Sequence, residues 1–118
     1  MRRIETAMRV RIFLGEDDKY KGRPLYEEIV VQAQASQLSG ATVFKGYMGF
    51  GAASGLHPAK ILRASHDLPI VVEILDSEEK VTAFLGVLEN LMNGGVATVE
   101  KVQLHRYSRQ KKKPAERH

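Results

Sequence analysis

The chain of 118 residues contains no cysteine. That absence excludes disulfide bonds, catalysis by a cysteine thiolate and zinc sites built on sulfur ligands. The chain also has no run of 18 or more apolar residues, so no segment is predicted to span a bilayer. Its first residues lack the apolar region of a secretory signal, and we therefore expect a cytoplasmic protein. The length suits one domain and is too short for two.

The positive charge of the chain is concentrated at its C-terminal end. The whole chain carries +4, but from Arg106 onward six lysines and arginines accompany one acidic residue, which gives that end +5 and the rest −1. Such an end is typical of a disordered, solvated tail, with nucleic-acid contact as the weaker alternative. We therefore expect an N-terminal extension at 1–7, a folded domain at 8–107 and a disordered basic tail at 108–118.

The first half of the folded domain reads as a strand, a helix and a second strand. Apolar residues alternate with others over residues 8–14, which predicts a strand. Pro24 suits the first turn of a helix, which extends to about Leu38 before Gly40 ends it. Residues 42–51 predict the second strand, and residues 52–68 a long loop.

The second half repeats this order. Residues 69–75 are rich in β-branched side chains and predict the third strand, after which Asp76 or Ser77 caps a helix. An apolar stripe over residues 81–92 marks that helix, and residues 96–107 predict the last strand. The order predicts an α+β fold of the ferredoxin-like type, βαββαβ, in which an antiparallel sheet carries both helices on one face.

The sheet face away from the helices mixes apolar and charged side chains. In this fold the first and third strands are neighbours, so Glu73 can pair with Arg9 or Arg11. Such a face is too apolar for bulk water and too charged for a monomer core, which favours a subunit interface of a closed homo-oligomer. A partly apolar, solvated face is the alternative. The predicted interface residues are Arg9, Arg11, Phe13, Val71, Glu73 and Leu75.

A highly charged loop at residues 15–23 joins the first strand to the first helix. Loops held on a rigid scaffold are where binding groups concentrate. Its lysines and Arg23 can gather phosphate oxygens, and Tyr20 can stack on a base or ribose. The alternative is a solvated loop whose cations pair with its own acidic residues. The candidate binding side chains are Lys19, Tyr20, Lys21 and Arg23.

Three glycines, Gly46, Gly49 and Gly51, are unusual in a strand. They allow a ligand to approach backbone N–H groups, or they mark a bulge or subunit packing, which is the favoured reading. His57 and His66 lie in the long loop, but a metal site needs three or four converging ligands, and we predict none. No catalytic residue is predicted either, since no nucleophile has an orienting acid at a defined position.

Four blocks of the sequence, in this order, resemble the family catalogued as domain of unknown function 190, part of the PII-like superfamily of trimeric signalling proteins. The blocks are residues 15–26, 40–51, 57–63 and 68–74. The resemblance covers the chain from about Met8 to Arg106, nearly all of it apart from the tail.

The resemblance implies a homotrimer whose sheets line its interior, with small-molecule sites in the clefts between subunits. In PII proteins these clefts hold adenine nucleotides, and the loop corresponding to residues 52–68 changes conformation to engage a target protein. Residues 93–96 correspond to a phosphate loop. The expected ligand residues are Lys19, Tyr20, Lys21, Arg23, Gly46, Gly49, Phe50, Gly51, Gly94 and Gly95. The expected switch-loop residues are His57, Lys60 and Arg63.

Two departures from the PII pattern bear on the ligand. Residues 93–96 form a shorter loop than that of PII proteins and contain no lysine. Gln103 and His105 stand where PII proteins have alternating arginines, and Arg106 is displaced by one position. Both departures argue against triphosphate binding in the PII manner, and they leave a smaller adenine nucleotide such as AMP, or another anion, as the expected ligand.

The favoured hypothesis is thus a regulatory binding protein and not an enzyme. Family members are sometimes encoded near fluoride exporters, so a membrane transporter is one candidate for the unknown target. The alternatives are a small enzyme that uses the loop at residues 16–23 with His57, and a nucleic-acid binder that uses residues 106–118. We expect no certain cofactor, no membrane insertion and no nucleic-acid partner.

Overall fold

The computed structural model describes residues 2–50 and 67–109. A four-stranded antiparallel sheet of order β4-β5-β1-β6 carries both helices on one face, and a small two-stranded hairpin, β2-β3, lies between β1 and the first helix. The predicted α+β, ferredoxin-like arrangement is confirmed. The elements are β1 (Arg2–Gly15), β2 (Lys19–Tyr20), β3 (Arg23–Pro24), α1 (Leu25–Ala35), β4 (Ala41–Lys45), β5 (Pro69–Asp76), α2 (Glu78–Leu91) and β6 (Val96–Tyr107).

The core lies between the helices and one face of the sheet. Successive strand side chains point to opposite faces, so alternate residues of β1 and β5 share the helix side. These are buried, and they pack against Ile29 of α1 and Phe84 of α2. The strand residues of this core are Val10, Ile12, Leu14, Ile70, Val72 and Ile74. Their neighbours in sequence therefore occupy the opposite face.

Strand β1 begins earlier than its apolar alternation predicts. It starts at Arg2 rather than Met8, and residues 2–7 pair with residues 102–107 of β6 in a continuous register. Most side chains of this stretch are exposed, so folding does not require an apolar period there. The expected N-terminal extension is thus part of the sheet.

Strand β4 ends at Lys45, well before the predicted end at Gly51. The chain turns at Gly46, whose backbone N–H donates to the carbonyl of Pro69 at 2.6 Å. A Cβ at Gly46 would lie 2.6 Å from the Pro69 Cγ, and one at Gly49 would lie 3.2 Å from the same atom. These glycines thus accommodate the start of β5 of the same chain, whereas the predicted bulge or subunit packing stays a prediction.

The ends of the helices follow local signals with one exception. Pro24 precedes α1 as predicted, and Ser77 caps α2, its side chain accepting a hydrogen bond from the Lys80 N–H at 3.3 Å. Helix α1 ends at Ala35, earlier than expected, because the chain reverses at Gln37 with a φ of 62° rather than at Gly40. The early reversal lets Leu38 pack against the core.

Asp76, at the end of β5, ties the α1–β4 connection to the start of α2. Its carboxylate accepts hydrogen bonds from the backbone N–H groups of Ser39 at 2.8 Å and Ser77 at 2.7 Å. Burial acts to raise the pKa of Asp76, but these hydrogen bonds outweigh it and hold that pKa below its usual value. The ionised carboxylate therefore stabilises the fold.

Replacing Asp76 with asparagine should lower the free energy of unfolding by about 1–3 kcal/mol at neutral pH, since the acceptor of two partly buried backbone hydrogen bonds is weakened. A carboxyl with a lowered folded pKa stabilises the fold above its unfolded pKa, and this contribution disappears as pH falls through the folded value. The deficit of Asp76→Asn should therefore shrink in acid. Urea unfolding at neutral and acidic pH checks this, with exposed Glu79→Gln as control. An equal deficit at both pH values would contradict it.

Candidate functional site

An apolar row crosses the sheet on the face away from the helices. Phe44 of β4, Val71 of β5, Phe13 of β1 and Val96 of β6 are successive register partners, so their side chains share this face. Phe44 is 51% exposed, Phe13 37% and Val96 57%. A continuous band of exposed apolar side chains over four strands is typical of a protein interface.

Ion pairs follow the apolar row on the same face. The Arg11 Nε donates to Glu73 at 2.9 Å, and the Arg9 Nε donates to Glu100 at 3.0 Å. The hydrogen bond from Arg9 is the main cause that lowers the pKa of Glu100. Of the two partners that the sequence leaves open for Glu73, the structure selects Arg11. All six residues predicted for an interface lie on this open face, with Leu75 the register partner of Arg9.

The charged loop after β1 begins with a tight turn. The Gly15 N–H donates to the Asp18 carboxylate at 2.9 Å, and the Asp18 N–H donates to the Gly15 carbonyl at 3.2 Å. The Asp18 carbonyl in turn accepts from the N–H of Leu25 at 2.8 Å, which fixes the loop to the start of α1. Asp18 is thus used within the loop and does not extend toward a ligand.

The middle of the loop is the hairpin β2-β3. Its two turn residues, Lys21 and Gly22, have φ values of 49° and 83°, as a type I′ turn requires. The Lys21 Nζ lies 5.4 Å from the centre of the Tyr20 ring, a cation–π distance. Tyr20 itself is half-buried and packs against the core. Part of this ring is therefore already in contact with the protein itself.

The cations of the loop divide into paired and unpaired groups. Arg23 pairs with the buried Glu28 of α1, and the acidic Glu16 pairs with Lys45 at the end of β4. Within residues 2–50 and 67–109, neither Lys19 nor Lys21 forms an ion pair. Internal pairing thus accounts for Arg23 and Glu16, whereas Lys19 and Lys21 have no such pair in the part of the chain that the structure describes.

The loop is also bonded to the two chain segments that flank residues 51–66. The Glu16 N–H donates to the Leu68 carbonyl at 2.8 Å, and the Asp17 N–H donates to the buried Asp67 carboxylate at 3.0 Å. On the other side, the Lys45 Nζ lies 2.8 Å from Glu16. This hydrogen bond is the main cause that lowers the pKa of Glu16 and raises that of Lys45.

Exchanging the charges of the Glu16–Lys45 pair tests this link. Lys45→Glu should lower the melting temperature slightly because two carboxylates then face each other, and the double variant Glu16→Lys/Lys45→Glu should recover most of the loss. Both effects should weaken at high salt, because the pair is partly exposed to solvent. A double variant no better than Lys45→Glu, in thermal unfolding at low salt, would contradict the pairing.

The glycine pair after α2 has a packing role of its own. Gly94 and Gly95 both have a φ of 88°, and a Cβ on Gly95 would lie 2.6 Å from the Met92 Cε and 3.3 Å from the Phe13 carbonyl oxygen. Both glycines line an open groove of about 300 Å³ whose side chains are mostly apolar, including Leu85. The pair thus lets β6 start close against β1.

The predicted ligand groups emerge at one end of the sheet. Because the sheet is antiparallel, the ends of β1 and β4 lie beside the starts of β5 and β6. The charged loop, Gly46 and the Gly94–Gly95 turn therefore occur at the same end of the sheet. Phe50 is described and is 78% exposed. Gly51, His57, Lys60 and Arg63 lie outside the described residues.

The register of β6 determines which face of the sheet each of its residues occupies. Gln103 and His105 pair with Thr6 and Ile4 on one face, and their side chains contact each other at 2.6 Å. Arg106 lies on the opposite face and donates to Glu5 at 3.2 Å. Arg106 therefore points to the face opposite Gln103 and His105, as the sequence predicts.

Within residues 2–50 and 67–109, the acidic and histidine side chains form no group of three or more that could hold a metal ion. No helix in these same ranges is long and apolar enough to cross a membrane.

Sequence reasoning missed three functional neighbours of the loop: Lys45, Asp67 and Glu28. Lys45 and Asp67 meet the loop only through strand pairing, and nothing local in the sequence indicates those contacts. For Glu28, by contrast, the sequence does indicate a buried carboxylate. It lies three residues after Leu25 and one before Ile29, on the apolar stripe of α1, where a carboxylate needs a partner.

Comparisons with known proteins agree with this geometry. The DUF190 family model, described as "Uncharacterized ACR", matches residues 7–104. A UPF0166 protein of Aquifex aeolicus (strain VF5) is 35% identical over 102 residues, which cover 86% of this chain and 96% of the relative.

Solved structures resemble the fold at low sequence identity. CPII of Thiomonas intermedia K12 bound to ADP and bicarbonate aligns with a TM-score of 0.59 and 18% identity over 88% of this chain and 93% of CPII. The same protein, described as a nitrogen regulatory PII-like protein and bound to ADP, AMP and bicarbonate, aligns with a TM-score of 0.56 and 19% identity over 88% and 92%. This likeness identifies the fold as PII-like.

Proposed function

Because the chain belongs to the DUF190 family and has a PII-like fold, we propose that it is a regulatory protein that binds a small anionic ligand between the subunits of a homotrimer. The ligand is an adenine nucleotide such as AMP. The observation that carries the proposal is that the charged loop, Gly46 and the turn at 94–95 all lie at one end of the sheet.

The open face supports assembly. The apolar row through Phe13 and its partners leaves large side chains exposed in a single protomer, and burial of such a surface stabilises association. The neighbouring pairs, Arg9 with Glu100 and Arg11 with Glu73, neutralise one another within the protomer. Charge therefore does not oppose the approach of three identical faces.

The charged loop provides side chains that can bind an anionic ligand. Lys19 and Lys21 form no ion pair within the described residues, and Arg23 keeps most of its guanidinium exposed. Lysine supplies a point charge and arginine a planar fork, the two groups that proteins use for phosphate. CPII, which shares the fold, is described with ADP and AMP bound, and this favours a nucleotide among the possible anions.

The signal would pass through residues 52–68. The charged loop is bonded to Leu68 and Asp67 on one side and to Lys45 on the other, so a ligand on the loop acts on both chain segments that flank residues 51–66. Ligand-dependent ordering of those residues, followed by contact with a target protein, is the proposed mechanism. A membrane transporter is the class of target that we would examine first.

Isothermal calorimetry with AMP, ADP, ATP and cyclic AMP tests the proposal. We expect saturable heat with AMP or ADP, weaker heat with ATP, and loss of binding in Lys19→Gln/Lys21→Gln, whose substitutions lie in the exposed hairpin. The matched control is Lys80→Gln, which removes a lysine from α2 instead. No heat with any nucleotide would overturn the proposed ligand class.

A further inference from the structure

A buried carboxylate lies directly behind the charged loop. Glu28, in the first turns of α1, is only 4% exposed, although glutamate is rarely buried so far. An ionised carboxylate removed from water is costly unless hydrogen-bond donors surround it. The position near the helix N-terminus favours a negative charge but does not by itself compensate for burial. Glu28 therefore depends on the side chains that contact it.

Both oxygens of Glu28 have a donor. The Gln32 Nε2 donates to Oε2 at 2.8 Å, from one turn further along α1. The Arg23 guanidinium donates to Oε1 through its Nη2. No buried polar side-chain atom among the described residues lacks a partner, so this network is complete. Its geometry fixes one corner of the Arg23 guanidinium.

The other N–H groups of the Arg23 guanidinium do not contact Glu28. The Arg23 side chain is 61% exposed, and a guanidinium has five N–H groups, of which Glu28 receives one. Arg23 is the cross-strand partner of Tyr20. The Lys21 Nζ in turn lies 5.4 Å from the centre of the Tyr20 ring. The guanidinium is thus held at its inner corner beside two other groups suited to a phosphorylated ligand.

We infer that Glu28 is a positioning residue that fixes the Arg23 guanidinium for a phosphate group and so favours phosphorylated over neutral ligands. This inference rests on the proposed function. A pre-oriented fork loses less conformational entropy on binding than a mobile arginine, and it can present two parallel N–H groups to one phosphate. Glu28 then affects only the part of the affinity that the phosphate supplies.

The test compares Glu28→Gln with the wild type for AMP and for adenosine, by calorimetry on the full-length protein. Glutamine has the size of glutamate but no charge, so the Arg23 hydrogen bond weakens. We expect AMP to bind about tenfold more weakly or worse, with adenosine unchanged. Glu27→Gln, exposed on the same helix turn, should change neither ligand. Equal losses for AMP and adenosine would overturn the inference.

A double variant and a conservative variant separate positioning from folding. In an Arg23→Gln background, Glu28→Gln should cost no further AMP affinity, because the group that it positions is already gone. Glu28→Asp, which keeps the charge on a shorter side chain, should restore part of the preference for AMP. An additive loss in the double variant would count against positioning.

A ligand-free measurement separates the contact between Glu28 and Arg23 from ligand binding. Nitrogen-15 NMR should show the Arg23 side-chain N–H groups as slowly exchanging signals in the wild type and in Glu27→Gln, but not in Glu28→Gln. If no nucleotide binds the wild type, the proposed function fails and this spectrum alone decides whether Glu28 fixes Arg23. Unchanged Arg23 signals in Glu28→Gln would overturn the inference even where AMP binds.

Discussion

Replacing Phe13 with aspartate should convert the assembled protein into monomers. Phe13 lies in the middle of the apolar row, between its register partners Val71 and Val96, on the face proposed to meet in the trimer. Each trimer would then bury three unpaired carboxylates, and a buried unpaired charge costs several kcal/mol. Sedimentation velocity at micromolar concentration should show one species of monomer mass, in contrast to the trimer expected of the wild type.

The fold of the single protomer should survive this change. Phe13 is 37% exposed and points away from the helix side of the sheet, so the core residues are untouched. Nucleotide binding should be lost together with the trimer. Val31→Asp is the matched control, since Val31 is a 51% exposed residue of α1, on the other side of the molecule. A wild type that is monomeric at micromolar concentration would contradict the proposed interface.

Replacing Gly95 with valine should destabilise the protein strongly. A φ of 88° is unfavourable for any residue with a Cβ, and such strain costs about 1–3 kcal/mol. The added Cβ would also collide with the Met92 side chain and approach the Phe13 carbonyl. The Met92 methyl is the free end of a flexible side chain and can move aside, whereas the Phe13 carbonyl at 3.3 Å is backbone. Chemical unfolding should therefore show a loss at least as large as that of the backbone strain.

Gly86→Ala provides a control with the opposite sign. Gly86 lies within α2, and nothing comes within 4 Å of a Cβ built there. Alanine in a helix interior is favoured over glycine by about 1 kcal/mol. Gly86→Ala should thus raise the free energy of unfolding while Gly95→Val lowers it. If both variants behaved alike, the close approach at Gly95 would not be the cause.

The parts of the fold that sequence predicts well are those with a strong period and clear ends. The bounds of β5 and α2 are predicted almost to the residue. In β5, buried side chains alternate with partly exposed ones, and in α2 an apolar stripe runs between Ser77 and a glycine pair. Strand β1 was predicted too short because residues 2–7 are mostly exposed and need no apolar alternation. Glycines that pack on Pro69 were mistaken for part of β4.

The sequence predicts the position of the charged loop but not the residues that the loop contacts. The charge density of residues 15–23 identifies the loop, and the alternation of β1 and β5 separates the open face from the core. The pairs Glu16–Lys45 and Asp17–Asp67 join residues far apart in sequence, and only the strand register brings them together. That register depends on tertiary packing, which no local pattern encodes. The residues 51–66 fall outside the described structure.

The central position of β1 has a consequence for how the sheet forms. Although β1 comes first among the strands, both of its neighbours, β5 and β6, lie in the second half of the chain, and Arg2 is partnered by Tyr107. The residues that follow β1 directly therefore satisfy neither of its edges. The sheet depends on pairings of high sequence separation, and such long-range pairing slows folding.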